Sequence, residues 1–335
     1  MKEKPGFTSQ VRESFKRISN KVREGLHLKG QSSDYAWGVS VAAFGKHPGW
    51  NDHMEDIGLD TDVLAELKRV LYFEGIGRNI DEGTWGKDKD EPAPRDYGHE
   101  LLWVRGNDIV AGRLWPSRDG KGRSEYPMIL CVHYSGLPLK FAVKTVFPLL
   151  EKIERLCVET DSADKVRQAV ETARTKLLQF VESNLSTAAL HIDYHRAVAE
   201  LAAQFDAGPG REGLVRILYQ MDREGVGLCQ VPGRTVFVEQ RTHARVPVGA
   251  GSGRETALLW VNFILGRLGK GTAVLVLMPV GESWMDIVVG KPTSAELYCT
   301  RASLKAIPLA SSVPYNIDPG FSERINSLLR GASQG

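Results

Sequence analysis

Cysteine is scarce: only Cys131, Cys157, Cys229 and Cys299 occur in 335 residues, and no two form a CxxC pair. Three of them lie inside apolar runs, which fits buried free thiols in a reducing compartment better than a disulfide framework or a zinc site. No apolar stretch reaches the roughly 18 uncharged residues needed to cross a bilayer, and the start, MKEKPGFTSQ, lacks the apolar core of a secretion signal. A cytoplasmic protein is the expectation. An excess of one charge is missing too. Against 43 Lys and Arg stand 41 Asp and Glu, a net of +2, so no nucleic-acid partner is expected.

What is present is an ordinary globular composition, 42% hydrophobic and 25% charged. Length alone admits about two domains of roughly 150 residues. The order of elements instead suggests a basic amphipathic arm, 1–35, followed by a single α/β domain, 36–335, with a helical middle section at 142–223. In the arm, Val11, Phe15, Ile18, Val22 and Leu26 share one helical stripe, opposite Arg12, Lys16, Arg17, Lys21 and Arg23. Such a stripe covers its own domain, docks in a partner's groove, or makes weak contact with an anionic membrane surface through residues 8–28.

Apolar and β-branched runs predict strands over 37–44, 100–104, 109–115, 127–133, 226–231, 235–239, 273–278 and 285–289. Helical spacing predicts helices over 62–73 and 256–268, with Pro148 at a helix start or kink. Ser294 is placed to cap a further helix that turns Leu297 and Leu304 inward. Strands bracket the helices, and several are joined by short connections. The expected fold is therefore a three-layer α/β sandwich with a mixed, partly antiparallel central sheet.

The most informative segment is Gly112–Pro127, GRLWPSRDGKGRSEYP. It sets a turn-rich, charged stretch between two apolar strands, so its side chains belong at a sheet end. Asp119 and Arg123 are four apart, with Gly120 and Gly122 between them, a spacing that lets carboxylate and guanidinium fold back on each other. Upstream, AAFGKHPGWNDH sets Lys46, Trp50 and Asp52 just after another strand.

These two segments carry a resemblance. Phe44, Gly45, Lys46, Pro48, Gly49 and Asp52, then Pro116, Ser117, Asp119, Gly122, Arg123, Tyr126 and Pro127, resemble in order the signatures of the type VI secretion-associated TagF (ImpM) family. Trp284, followed by MDIVVGKP and SAELYCTRASL, is similar to a third family feature. The chain departs from the pattern in its single Trp284, in Lys291, and in His47 and Trp50 inside the first motif. The likeness covers 37–160 well and 255–305 loosely, as in a divergent member. It implies a cytoplasmic, non-enzymatic regulator that restrains type VI secretion assembly after translation, with a forkhead-associated scaffold protein as partner.

Catalytic signatures are thin. Gly269–Thr272, GKGT, follows a predicted helix and opens a strand, the reverse of a phosphate-binding loop. The run GAGSGR from Gly249 breaks the dinucleotide fingerprint at Arg254 and lacks a convincing strand-to-helix crossover. His191 and His195 have metal-ligand spacing without the glutamate or third ligand of a zinc site. His47, Asp52 and His53 follow a strand end and make the alternative reading, an enzyme of unknown class. A second alternative is a membrane-peripheral adaptor anchored by the arm. The favoured expectation needs no cofactor or metal: Lys46, Trp50, Asp52, Trp115, Ser117, Asp119 and Arg123 converge as a protein-binding corner, since aromatics and arginine dominate such surfaces.

Overall fold

The structure is a computed structural model that describes residues 38–85, 96–183, 191–207, 209–226, 241–249 and 251–331. The arm, Cys229 and, Val226 apart, the two strands expected over 226–239 lie outside the described residues.

Strand β1 (Val39–Gly45) opens the fold, and helix α1 follows, running without a break through Asp62–Leu67, Lys68–Gly77 and Arg78–Asp81. Thr61 caps it, its Oγ1 accepting the Leu64 N–H at 3.2 Å. The helix passes the expected end at residue 73, and Gly75 lets it pack closely on Leu297: a Cβ there would meet Leu297 Cδ1 at 2.3 Å. Next come β2 (His99–Arg105), β3 (Asp108–Trp115) and β4 (Met128–Ser135), close to the predicted spans. The helical middle holds α2 (Phe147–Val158), with Pro148 in its first turn, α3 (Ala163–Ser183), α4 (Tyr194–Asp206) and α5 (Gly210–Met221). The chain ends with β5 (Thr242–Pro247), α6 (Gly253–Leu268), β6 (Ala273–Pro279), β7 (Trp284–Val289), α7 (Ser294–Leu297) and α8 (Pro319–Gly331).

The seven strands among the described residues join one sheet in the order β1-β4-β3-β2-β6-β7-β5. Where a mixed sheet was expected, every pairing among the described strands is antiparallel. Tight turns join β2 to β3 and β6 to β7, and antiparallel neighbours follow from such turns. The α6 crossover links two like-directed strands, β5 and β6, but the antiparallel β7 lies between them. The expected α/β sandwich architecture is present. On one face Leu102, Val104, Ile109, Ala111, Leu130 and Val132 pack with residues of α2 to α6 and α8. On the other, Ala42, Phe44, Leu101, Trp103, Val110 and Ile129 pack with α1 and the α7 region. Alternate residues of each strand thus feed opposite cores, as the two-residue period requires. No helix among the described residues is long and apolar enough to cross a membrane.

Three local expectations are corrected. The N-cap of α7 is Thr293, one residue before Ser294, because Glu296 reaches back to accept its N–H at 2.7 Å. Leu304 is exposed, since α7 stops at Leu297 and the helical period does not reach it. The glycine-rich loop before α6 does follow a strand: β5 leads through it into a helix capped by Ser252, whose Oγ accepts the Glu255 N–H at 3.2 Å.

Candidate functional site

Antiparallel pairing sets the exits of β1, β3, β5 and β6 and the entries of β2, β4 and β7 at one end of the sheet. Both signature loops lie there. Gly45 makes the first possible. Its φ of +118° is a left-handed conformation, and a Cβ would meet the Pro127 carbonyl oxygen at 2.2 Å. That close approach lets the Lys46 N–H donate to Pro127 O at 3.1 Å, fastening the β1 exit to the β4 entry.

Asp119 is the hub. Its Oδ2 accepts from Lys46 Nζ at 2.6 Å and from Arg123 Nε at 2.7 Å. Its Oδ1 accepts the backbone N–H groups of Lys121 at 2.9 Å and Arg123 at 3.1 Å. Burial alone would raise this carboxyl, but the Lys46 ammonium, the Arg123 guanidinium and the two N–H groups outweigh it. The carboxyl is held well below the usual carboxylate range. The Gly120 N–H donates to Trp50 O at 2.7 Å, which ties the two loops together. Asp52 completes the cluster, with Oδ1 3.3 Å from Lys46 Nζ and 3.0 Å from Arg123 Nη2.

The predicted residues meet but do not share one exposure. Lys46 and Asp119 are buried, a frame for the loops and not a contact surface. Trp115, expected beside the cluster as a binding aromatic, is 4% exposed and belongs to the core. It ends β3 in phase with Ile109 and Ala111, whose side chains share that core, so period two buries it. Trp50 is half-buried, edge-on to the His47 ring at 5.6 Å and under the Arg167 guanidinium at 5.3 Å. Ser117 is half-buried. Asp52 and Arg123 reach solvent, their side chains 68% and 45% exposed.

His47 and His53 do not converge. The Gly49 N–H donates to His47 Nδ1 at 3.0 Å, so Nε2 carries the proton and donates to Cys157 O at 2.9 Å. Both nitrogens are committed to backbone, and burial lowers the pKa. His53 lies among aromatics of the opposite core, its Nδ1 2.8 Å from the Tyr72 hydroxyl. Burial first, then the Lys46 charge, lowers its pKa to about 4. The His191/His195 pair also separates. Asp193 caps α4, accepting the Arg196 N–H at 3.3 Å, so His191 precedes the helix and His195 sits in its first turn.

Charge clusters appear that sequence reasoning missed. Glu100 and Arg113, direct cross-strand partners, are hydrogen-bonded, and Arg254 Nε reaches Glu100 Oε2 at 2.7 Å. Arg254 also pairs with Glu151, and Arg113 Nε with Glu154 Oε2 at 2.5 Å. Glu100 lies in phase with Leu102 and Val104, and Arg113 with Ile109 and Ala111. That shared inward phase was the available signal. Elsewhere, ligand-type atoms of His243, Asp286 and Cys299 lie within 4.8 Å of one another. Arg245 holds both Asp286 oxygens, Nε at 2.9 Å and Nη2 at 3.0 Å, so a cation there would face a guanidinium. At the opposite sheet end, His133 lies between Thr61 Oγ1 and Asp108 Oδ1, each at 3.1 Å. That hydroxyl already caps α1, and the line fastens α1 to the sheet.

No protein-family model matches the chain, and no curated protein matches it. A solved structure similar to it is that of PA0076 from Pseudomonas aeruginosa PAO1, at 14% identity and a TM-score of 0.43, covering 82% of this chain and all of that one. A likeness of that strength leaves the family unassigned.

Proposed function

We propose that this chain acts by binding a protein partner through the Lys46–Asp52–Asp119–Arg123 corner, as an accessory protein and not a catalyst. The observation that carries the reading is the wiring of Asp119. Four donors from two distant stretches fix one buried carboxylate, and the two loops so tied present Arg123 and Asp52 to solvent. A rigid loop loses little entropy on docking, which favours recognition. The half-buried Trp50 beside it supplies aromatic surface of the kind found at binding hot spots.

The resemblance to TagF supplies the process. In this reading the chain restrains assembly of a type VI secretion system by holding a forkhead-associated scaffold protein. Such a regulator needs only differential affinity: by preferring the free scaffold over the assembled one, it lowers the population able to build. The test is capture of a purified type VI forkhead-associated scaffold protein on the immobilised chain, wild type against Arg123→Glu, with circular dichroism to verify folding. The expected result is loss of capture by a folded variant. Undiminished capture by that variant would overturn the assignment of this surface.

A further inference from the structure

The two carboxylates that meet Arg123 differ in kind. Asp119 is buried and saturated by its four donors. Asp52 is 68% exposed on its side chain, accepts its own neighbour's His53 N–H at 2.9 Å, and lies 3.0 Å from Arg123 Nη2. Arg123 Nη2 also donates to Asn51 O at 3.0 Å, and its Nη1 has no hydrogen-bond partner among the described residues. On the same loop Arg118 and Lys121 are exposed and make no ion pair among the described residues. Glu125 is the loop's exposed acid.

Resting on the binding role proposed above, we infer that the corner receives an acidic segment of a protein partner, and that Asp52 is a built-in competitor which a partner carboxylate displaces from Arg123. The exchange replaces one carboxylate beside the guanidinium with another, so the ion pair at Arg123 is remade and not lost. Asp52 yields its pair with Arg123 readily because an exposed ion pair contributes little to stability, and Lys46, 3.3 Å from Asp52, keeps its shorter bond to Asp119 at 2.6 Å. Arg118 and Lys121, without an ion pair among the described residues, add attraction that costs no existing ion pair. A guanidinium with a free edge suits planar carboxylates. A polyanion such as nucleic acid would call for a broad basic face, whereas the chain's net charge is only +2.

The experiment measures fluorescence anisotropy of a labelled hexaglutamate peptide titrated with the intact chain at low and at physiological ionic strength. A labelled single-stranded oligonucleotide and phosphatidylserine vesicles serve as comparison ligands. Hexaglutamate should bind, more weakly as salt rises. Asp52→Asn should tighten binding by about threefold, while Arg118→Gln with Lys121→Gln should weaken it by about tenfold, magnitudes typical of exposed charges. The inference is overturned if Asp52→Asn leaves affinity unchanged or lowers it, or if the oligonucleotide or the vesicles bind more tightly than the peptide. The same variants in scaffold capture separate the two ideas. If Arg123→Glu abolishes capture but Asp52→Asn does not strengthen it, the binding role stands and the competitor falls. If Arg123→Glu leaves capture intact, both fall.

Discussion

Arg245→Met should destabilise the protein by about 3–5 kcal/mol, the usual loss when one partner of a buried ion pair is removed. Arg245 and Asp286 are both fully buried. Besides its two bonds to Asp286, the guanidinium donates to the carbonyls of Cys299, Ala302, Ser303 and Ile307 at 2.9–3.1 Å. It also lies 3.8 Å from the Trp284 ring centroid. Methionine keeps the stem but strands a buried carboxylate beside His243, 2.8 Å away, and the Cys299 thiol, with no fixed cation. Four carbonyls lose a donor as well, which adds to the loss. Total stability for a domain is about 5–15 kcal/mol, so the variant should sit near the edge of folding. Urea denaturation followed by far-UV circular dichroism measures the loss. Adding Asp286→Leu to Arg245→Met should recover part of it, because the stranded charge is removed. A loss below about 1 kcal/mol for Arg245→Met, or no recovery in the double variant, would refute the reasoning.

Acidification should act through His53 first. Its folded pKa of about 4 lies below the ordinary 6.5, so the unfolded chain takes up the proton first. The His53 contribution should be constant above pH 6.5 and fall between 6.5 and 4, by on the order of 2 kcal/mol after allowance for partial exposure. His53→Gln should flatten that slope in urea titrations, leaving the share due to buried His47; an unchanged slope would count against the assignment. Asp119 acts in a lower window, since its depressed carboxyl gives up stability only as pH falls below the ordinary carboxylate range. Gly45→Ala should cost about 2 kcal/mol or more through left-handed strain and the clash with Pro127 O, read as a lowered denaturation midpoint. Trp115→Ala should cost about 3–5 kcal/mol as a core cavity, so any loss of binding it causes should track unfolding in a thermal melt.

Much of the sheet was legible because β2, β3, β4, β6 and β7 carry apolar residues on both faces, a signal that survives errors in register. Strand β5 was not. Its sequence, THARVP, alternates Ala244 and Val246 with His243 and Arg245, which reads as half-exposed, yet Asp286 and the 299–307 carbonyls bury the charged side. The corner was legible as a grouping, since Asp119 and Arg123 stand out by spacing and turn residues, and Lys46 and Asp52 by the resemblance to the TagF motif. Burial within it was not legible. Whether a lysine points inward depends on which carboxylate crosses from a distant loop, and 73 positions separate Lys46 from Asp119. Trp115 reads as part of the charged loop that follows it in sequence, whereas its strand phase puts it in the core. The pairing of Glu100 with Arg113 shows the same cause in reverse.

The most direct test of the recognition corner is the affinity of a purified type VI forkhead-associated scaffold protein for the folded Arg123→Glu variant, measured by isothermal titration calorimetry beside the wild type. The account predicts at least a tenfold weaker complex, about 1.4 kcal/mol, from a variant that stays folded but melts at a lower temperature, because Asp119 loses a donor. Equal affinity would contradict it.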